Sequence, residues 1–486
     1  MTPSSKIIHL HPQGWENDPA DEYFKLSTLD YCVGQVYTNY ALFFKLPSPL
    51  PTDHADNIIA TLQRGLEITL SQCRQLCGTL SPHPSGDGSL CFHKTRDSTV
   101  EFHIQSLPAG NGPPFADLQS QHFASRSLGD MSTWCVAPMT YGEKPEAHPS
   151  SQPKASAFKL SFITGGAVFM MHHHHYANDV MGWAGELHQL AENCAAVWND
   201  TSLPSWDKSC LGLSRLTVEV PPEQQVDGPV SPAKHPDHKR ASWLLFHLPK
   251  SKTAELKALA YPDEGYISSY DAYTALLWGV LTKHRLKLFP DANPSSTLLW
   301  GEAVDMRRRL KYSPPIPARI QGNVVHVALS AQSVVPPLTV QDVVSAEVPL
   351  SRLAGYIRSL TNGATQASME ATLAAIAPIK DKSALFLRVD SFPPLSNFIS
   401  DWRDTNHCEA DFGFGKPFAF RFPFDTVTNG LAIVYPVRSS EGAPAGEDEG
   451  NEFSIAIEDE IREDLLKDEE WTKWFEYRGV DAGDLE

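Results

Sequence analysis

The chain of 486 residues carries 40 Lys and Arg against 58 Asp and Glu, a formal charge of -18, with 42% hydrophobic and 20% charged residues. That balance excludes a disordered solvating chain and disfavours nucleic acid or an anionic membrane surface as the main partner, so an anionic co-substrate would need a local basic patch. A length roughly three times the commonest domain size predicts one or two large domains or a pseudo-duplicated core.

Residues 1–26 contain no apolar run ahead of their first acidic residues, and no stretch approaches the ~18 apolar residues of a membrane span, so neither secretion nor anchoring is expected. Residues 40–46 (YALFFKL) read as a strand, and 56–76 as a helix with Ile58, Leu62, Leu66 and Leu70 at helical spacing. Cys73 and Cys77 fall on one face of that helix. The eight cysteines (Cys32, Cys73, Cys77, Cys91, Cys135, Cys194, Cys210, Cys408) form no CxxC pair, which suits reduced thiols in a cytosolic protein. The sequon Asn199-Asp200-Thr201 carries no weight without a leader.

Phe158, Leu160 and Phe162 alternate as a strand, Gly165-Gly166 marks a hairpin turn, and 167–171 returns as a second strand that runs into four histidines, His172 to His175. Beyond Asp179, the residues Trp183, Leu187, Leu190, Ala191, Cys194 and Trp198 recur at helical spacing, so a helix starts just after Asp179. Residues 216–241, with Pro221, Pro222, Pro229, Pro232, Pro236 and Gly228, can neither continue a helix nor pair well in a sheet. They read as the crossover between a half spanning 1–215 and one spanning 242–486. The second half opens on a strand at 243–248 and a helix capped by Ser251. Residues 439–450 read as a flexible acidic loop. Phe453, Ile455 and Ile457 then alternate as a strand, and an acidic helix follows with Ile461, Leu465 and Leu466 on one side.

A period of two puts His173 and His175 on one side of the strand and His172 and His174 on the other, so at most two share a site. Only Asp179 adds an obvious local ligand, which leaves a zinc centre short of its three or four, and no metal is expected. Two readings stand. The histidines can be buried and satisfied by backbone groups, with Asp179 as a helix N-cap. Alternatively, a strand end and tight turn can hold one imidazole rigidly in a channel, where it takes a proton from a hydroxyl near neutral pH.

His175-Tyr176-Ala177-Asn178-Asp179 matches an HxxxD motif, and DFGFGKP, Asp411 to Pro417, resembles a DFGWG motif with Phe414 in the tryptophan position. By these two motifs, in this order and more than 200 residues apart, the chain resembles the plant and fungal acyltransferases called BAHD. LSTLD at Leu26 to Asp30, SSYDAYTALLW at Ser268 to Trp278, VDMRRRL at Val304 to Leu310 and PPIPARIQGN at Pro314 to Asn323 resemble further blocks of that family. In character it is similar to the fungal secondary-metabolite members, trichothecene O-acetyltransferases among them.

The resemblance implies an α/β fold of two chloramphenicol-acetyltransferase-like domains with an active-site channel between them, in a cytoplasmic monomer. It implies acyl-CoA, with acetyl-CoA expected, as co-substrate, no permanently bound cofactor, and a hydroxylated natural product as acceptor, an amine being the less expected alternative. His175 becomes the general base, and Asp179 turns away from the substrate to pair with Arg307. Ser400 and Trp402 line the acyl and oxyanion side, where Asp401 replaces a commoner serine. Asp411, Gly413 and Gly415 hold a loop away from His175. Ser268, Ser269 and Asp271 open a helix whose amides could meet a CoA phosphate, while Arg308 and Arg309 read as a solvated face.

Transfer is direct in this reading, since no GxSxG elbow or cysteine signature argues for an acyl-enzyme. One rival is a condensation-type enzyme using a carrier-protein thioester, because His174-His175 with Asp179 also resembles HHxxxDG, although Val180 replaces the glycine. The other is a non-catalytic ligand-binding member of the fold.

Overall fold

The computed structural model describes residues 4–482 apart from 108–109, 141, 143, 334, 383–384, 386, 425 and 439–449. Among these residues the strands form sheets of six, seven and three members. The six-stranded sheet runs in the order Ser4–Leu10, Val100–Ser106, Ser156–Ile163, Gly166–His174, Tyr37–Lys45, Ala419–Arg421. At its centre Ser156–Ile163 turns through Gly165, whose φ of 79° suits a residue without a Cβ, and returns antiparallel as Gly166–His174.

Every residue of both hairpin strands is buried, which explains a nearly continuous apolar run in place of simple alternation. Phe169 and Met171 share a cluster with Leu62 and Leu66 of helix Thr52–Gln72 and Leu187 of helix Val180–Trp198. Val168 and Met170 face the opposite way, onto Phe115, Phe123 and Trp134. Each such side chain contributes about 1.5–3 kcal/mol by leaving water. A one-residue slip would exchange the two faces, so packing sets the register that delivers the histidines.

Helix Thr52–Gln72 ends earlier than its apolar spacing predicts. Cys73 caps it and Cys77 lies in a separate 3-10 turn, so the two cysteines do not share a helix face. All eight cysteines are free.

The seven-stranded sheet runs Val325–Leu329, Trp300–Asp305, Asn397–Asp401, Leu431–Val434, Gly450–Glu458, Ala241–Pro249, Glu476–Ala482. Helices Ser269–Arg285, Leu350–Gly363 and Asp459–Lys467 pack on it through Leu277, Trp278, Leu281, Ile357 and Leu465. The helix expected behind Ser251 starts at Lys250 with Pro249 in the cap position and no side-chain cap, because strand Ala241–Pro249 runs straight into it. The acidic loop expected at 439–450 lies, except for Gly450, outside the described residues.

Between the two sheets, 217–240 run irregularly with a short 3-10 turn at Pro222–Gln224. The sheets do not divide the chain cleanly, because Ala419–Arg421 crosses back to pair with Ala41–Phe43. Arg421 anchors that return. Fully buried, it joins Arg438 and Arg478 around Glu452 of the other sheet, and Arg421 and Arg438 both donate to the His122 carbonyl. Among the described residues no helix is long and apolar enough to cross a membrane.

Candidate active site

Three of the four histidines are consumed by the fold. His172 Nε2 accepts from Val136 N–H at 3.2 Å while its Nδ1 meets Asn39 Oδ1 at 2.7 Å. His174 donates from Nε2 to the Ala147 carbonyl at 2.8 Å and accepts at Nδ1 from Tyr176 N–H at 3.1 Å. Burial pushes these two down to about 3 and about 4, so both are neutral. His173, on the helix side, lies 3.2 Å from the equally buried Glu186 and edge-on to Trp183.

His175 differs in being partly exposed. Its N–H donates to Val36 O at 2.9 Å, and its carbonyl accepts from Asn323 Nδ2 at 3.0 Å. Its Nδ1 is buried, which leaves Nε2 as the ring nitrogen a substrate can reach. Burial lowers the proton affinity of the ring, and its own carbonyl, the Asp179 carboxylate and Asn323 act in the opposite direction. A neutral imidazole with an accessible lone pair is what a general base requires.

Asp179 is fully engaged elsewhere. Its Oδ1 caps helix Val180–Trp198 by accepting from Gly182 N–H at 2.8 Å, its Oδ2 accepts from Val324 N–H at 2.7 Å, and Arg307 clasps both oxygens at 2.9 Å. Arg307 also donates to the Ile320 and Gly322 carbonyls. Four donors leave the carboxylate no part in proton transfer, and they dock segment 320–324 onto the turn. Gly322 fits there because a Cβ would come within 2.9 Å of Leu213, and its N–H donates to Asn178 Oδ1 at 2.6 Å. Arg308 is exposed, and Arg309 donates to the Thr361 and Ala364 carbonyls, so neither supplies a free basic patch.

Val325 follows that docked segment and pairs with Asp305, while Ala303 pairs with Ser400, so Ser400 stands two strand spacings, roughly 10 Å, across the sheet. Trp402 packs against Tyr40, which in turn lies on Trp183. Trp402 Nε1 donates to Ser400 Oγ at 2.7 Å. With one lone pair accepting from Trp402, the partly exposed Ser400 hydroxyl has its own hydrogen free to point elsewhere. Arg403 forks onto Asp401, neutralising the carboxylate that stands in place of a serine.

Ser268 and Asp271 form a capping box on helix Ser269–Arg285, and the fully buried Asp271 is gripped by Arg358. Their side chains therefore serve the helix start. What remains there for an anion is the first-turn amides and Arg403, whose Nη1 lies 3.5 Å from Ser269 Oγ. Arg403 had no signal in the sequence. In the DFGFGKP loop, Asp411 accepts from Gly413 N–H at 2.8 Å, and Gly413 and Gly415 have φ of 85° and 148°. The loop packs against Trp198, the far end of the 19-residue helix that Asp179 begins, roughly 28 Å from the turn.

A cavity of about 440 Å³ backs onto the turn, lined by Asp30, Gln75, Tyr176, Ala177 and Gly322 among others, but His175 does not line it. The hydrogen-bonded turn, and not that hollow, marks the site.

A neutral, partly exposed histidine on a turn clamped by Asp179–Arg307, set between two sheets, defines an HxxxD-type acyltransferase. Residues 143–453 match the Transferase family, and residues 36–194 match the trichothecene 3-O-acetyltransferase-like N-terminal domain. The chain is 51% identical to acetyltransferase FGR3 of Gibberella zeae, over 99% of this chain and 95% of that protein. It is 26% identical to trichothecene 3-O-acetyltransferase TRI101 of Fusarium sporotrichioides, over 91% and 94%. The crystal structure of F. graminearum TRI101 with ethyl coenzyme A shares the fold, with a TM-score of 0.75, 20% identity, and coverage of 94% of this chain and 100% of that one. The chain belongs to the Transferase family of BAHD-type acyltransferases. It is an acyl-CoA-dependent O-acyltransferase that uses the thioester as a co-substrate, and the carrier-protein and non-catalytic alternatives are not favoured.

Proposed function

We propose that His175 Nε2 takes the proton from an acceptor hydroxyl as its oxygen attacks the thioester carbonyl carbon of acetyl-CoA. The new C–O bond places negative charge on the former carbonyl oxygen, where the Ser400 hydroxyl, turned outward by Trp402, donates to it. Collapse breaks the C–S bond, and the imidazolium returns the proton to the leaving sulfur. Asp179 and Arg307 hold the turn, and Asp411, Gly413 and Gly415 hold a distant loop. The CoA phosphates meet the start of helix Ser269–Arg285, with Ser269 and Arg403 beside them. Halves 1–215 and 242–486, joined by 216–241, enclose the channel.

Acetyl as the acyl group and a hydroxylated natural product as acceptor are supported by relatives named an acetyltransferase and a trichothecene 3-O-acetyltransferase, and a cytoplasmic monomer suits the acidic charge and eight free thiols. The observation that carries the catalytic assignment is that His175 alone of the four histidines is partly exposed. The test is release of CoA thiol from acetyl-CoA with a panel of hydroxylated sesquiterpenoids, alongside His175→Ala. Turnover in the parent and loss in the folded variant are expected, and equal activity in both would overturn the assignment.

A further inference from the structure

Asn323 lies 148 residues from His175 in the chain yet touches it. Its Nδ2 spends one hydrogen on the His175 carbonyl at 3.0 Å and the other on Asp30 Oδ1 at 2.8 Å, while its backbone N–H donates to the same Asp30 oxygen at 2.8 Å. Asp30 is itself locked, its Oδ2 accepting from Ser27 N–H at 2.7 Å. Asp30 and Asn323 are both fully buried. Asn323 Oδ1 and His175 Nδ1 are among the buried polar atoms of this packed region that lack a hydrogen-bond partner. They belong to the two residues already joined through the His175 carbonyl.

We infer that Asn323, held by Asp30, is the positioning residue of the catalytic histidine: it fixes the His175 carbonyl with one arm of its amide and presents the other to the inner edge of the ring. This rests on His175 being the base. The amide oxygen is an acceptor, so it selects the tautomer that carries its hydrogen on Nδ1 and keeps the Nε2 lone pair toward substrate. The Val36 carbonyl, which accepts from the His175 main-chain N–H, holds the turn but does not choose between ring nitrogens.

The groups acting on the ring have known signs. Burial opposes its protonated form, while its own carbonyl, the Asp179 carboxylate, the Asn178 main chain and Asn323 favour it. A purely structural asparagine would alter the amount of folded enzyme and not the pH at which the ring titrates. A positioning asparagine alters both the rate and the acid limb of the pH profile.

The experiment measures kcat against pH, and KM for acetyl-CoA, on Asn323→Ala, Asn323→Asp and His175→Ala, with thermal melts as the control for folding. Asn323→Ala is expected to lower plateau kcat by about 10–100-fold, as misplaced catalytic groups do, with KM for acetyl-CoA within about twofold. Its acid limb moves to lower pH because a group favouring imidazolium is gone. Asn323→Asp keeps the shape, removes both N–H donors and brings a carboxylate to the ring, so its kcat also falls while the limb moves up. This variant serves if the alanine form melts. Unchanged kcat in a folded variant, or a loss with no movement of either limb, overturns the inference. Activity retained in His175→Ala would instead sink the base assignment on which it stands.

Discussion

Asp179 and Arg307, 128 residues apart, meet fork to fork, Nη1 donating to Oδ2 and Nη2 to Oδ1, each at 2.9 Å. Parallel charge-assisted bonds of this kind are among the stronger polar contacts in proteins. Here they replace the water both groups lost, since Arg307 is 8% and Asp179 7% exposed. Arg307→Ala strands a buried carboxylate and is expected to cost about 3–5 kcal/mol. Asp179→Asn, which keeps the shape but loses the charge, costs less. Urea unfolding with paired kcat values checks both. A loss below about 1 kcal/mol for Arg307→Ala would mean that the other donors to Asp179 suffice to hold the turn.

Ser400 and Trp402 make unequal contributions if the serine hydroxyl faces the oxyanion and the indole only aims it. Ser400→Ala removes the donor and is expected to lower kcat by about 100- to 1000-fold with little change in KM. Trp402→Phe keeps the ring against Tyr40, removes the 2.7 Å bond from Nε1, and is expected to lower kcat only by about 3–10-fold. Steady-state kinetics with acetyl-CoA separate the two, and a larger loss for Trp402→Phe would reverse their roles.

Local patterns carried much of this molecule into view. The helix after Asp179, the hairpin through Gly165 and the alternation of His172 to His174 all follow from periods of 3.6 and 2 within some forty residues, whereas His175, expected on the strand beside His173, lies in the turn beyond the strand end. The fate of His172 and His174 was likewise legible, since a buried imidazole must find backbone partners. Contacts that close over long loops left no local trace. Asp30 and Asn323 are 293 residues apart, and neither spacing nor propensity links them. The crossing strand Ala419–Arg421 is three residues long and too short to show a period. Ser251 looked like a cap because of its residue type, and Pro249, already extended at the strand end, took the place.

Glu302 makes stability fall as pH rises. Burial pushes its carboxyl up from the ordinary 4.5 to about 7, although Thr361 and Tyr270 donate to it at 2.6 and 2.8 Å. Between those pH values the folded chain holds a proton that the unfolded chain has released, so unfolding is favoured progressively from about pH 4.5 and the full cost, about 3 kcal/mol, stands above pH 7. Glu302→Gln keeps the hydrogen-bonding shape without the charge. Relative to the parent it is expected to gain about 2–3 kcal/mol more at pH 8 than at pH 5, read from urea midpoints. Parallel pH slopes in the two proteins would mean that Glu302 ionises like a solvated carboxylate.

Gly413 tests whether the DFGFGKP loop is structural. Its φ of 85° is a region where a side chain is strained, and a Cβ there would lie 2.6 Å from Trp198 Cβ and 3.0 Å from Ala195 Cα. Neither neighbour is the end of a flexible chain, so Gly413→Ala must shift the end of the helix that Asp179 begins. Left-handed strain of about 1–2 kcal/mol and overpacking of about 1–3 kcal/mol add in the same direction, giving about 2–5 kcal/mol. Roughly 28 Å of helix separates that disturbance from the catalytic turn. The expected result is a lower Tm with kcat per folded molecule within about twofold of the parent, measured at a temperature well below the new midpoint. A large fall in kcat without a change in Tm would place this loop in the chemistry and not beneath it.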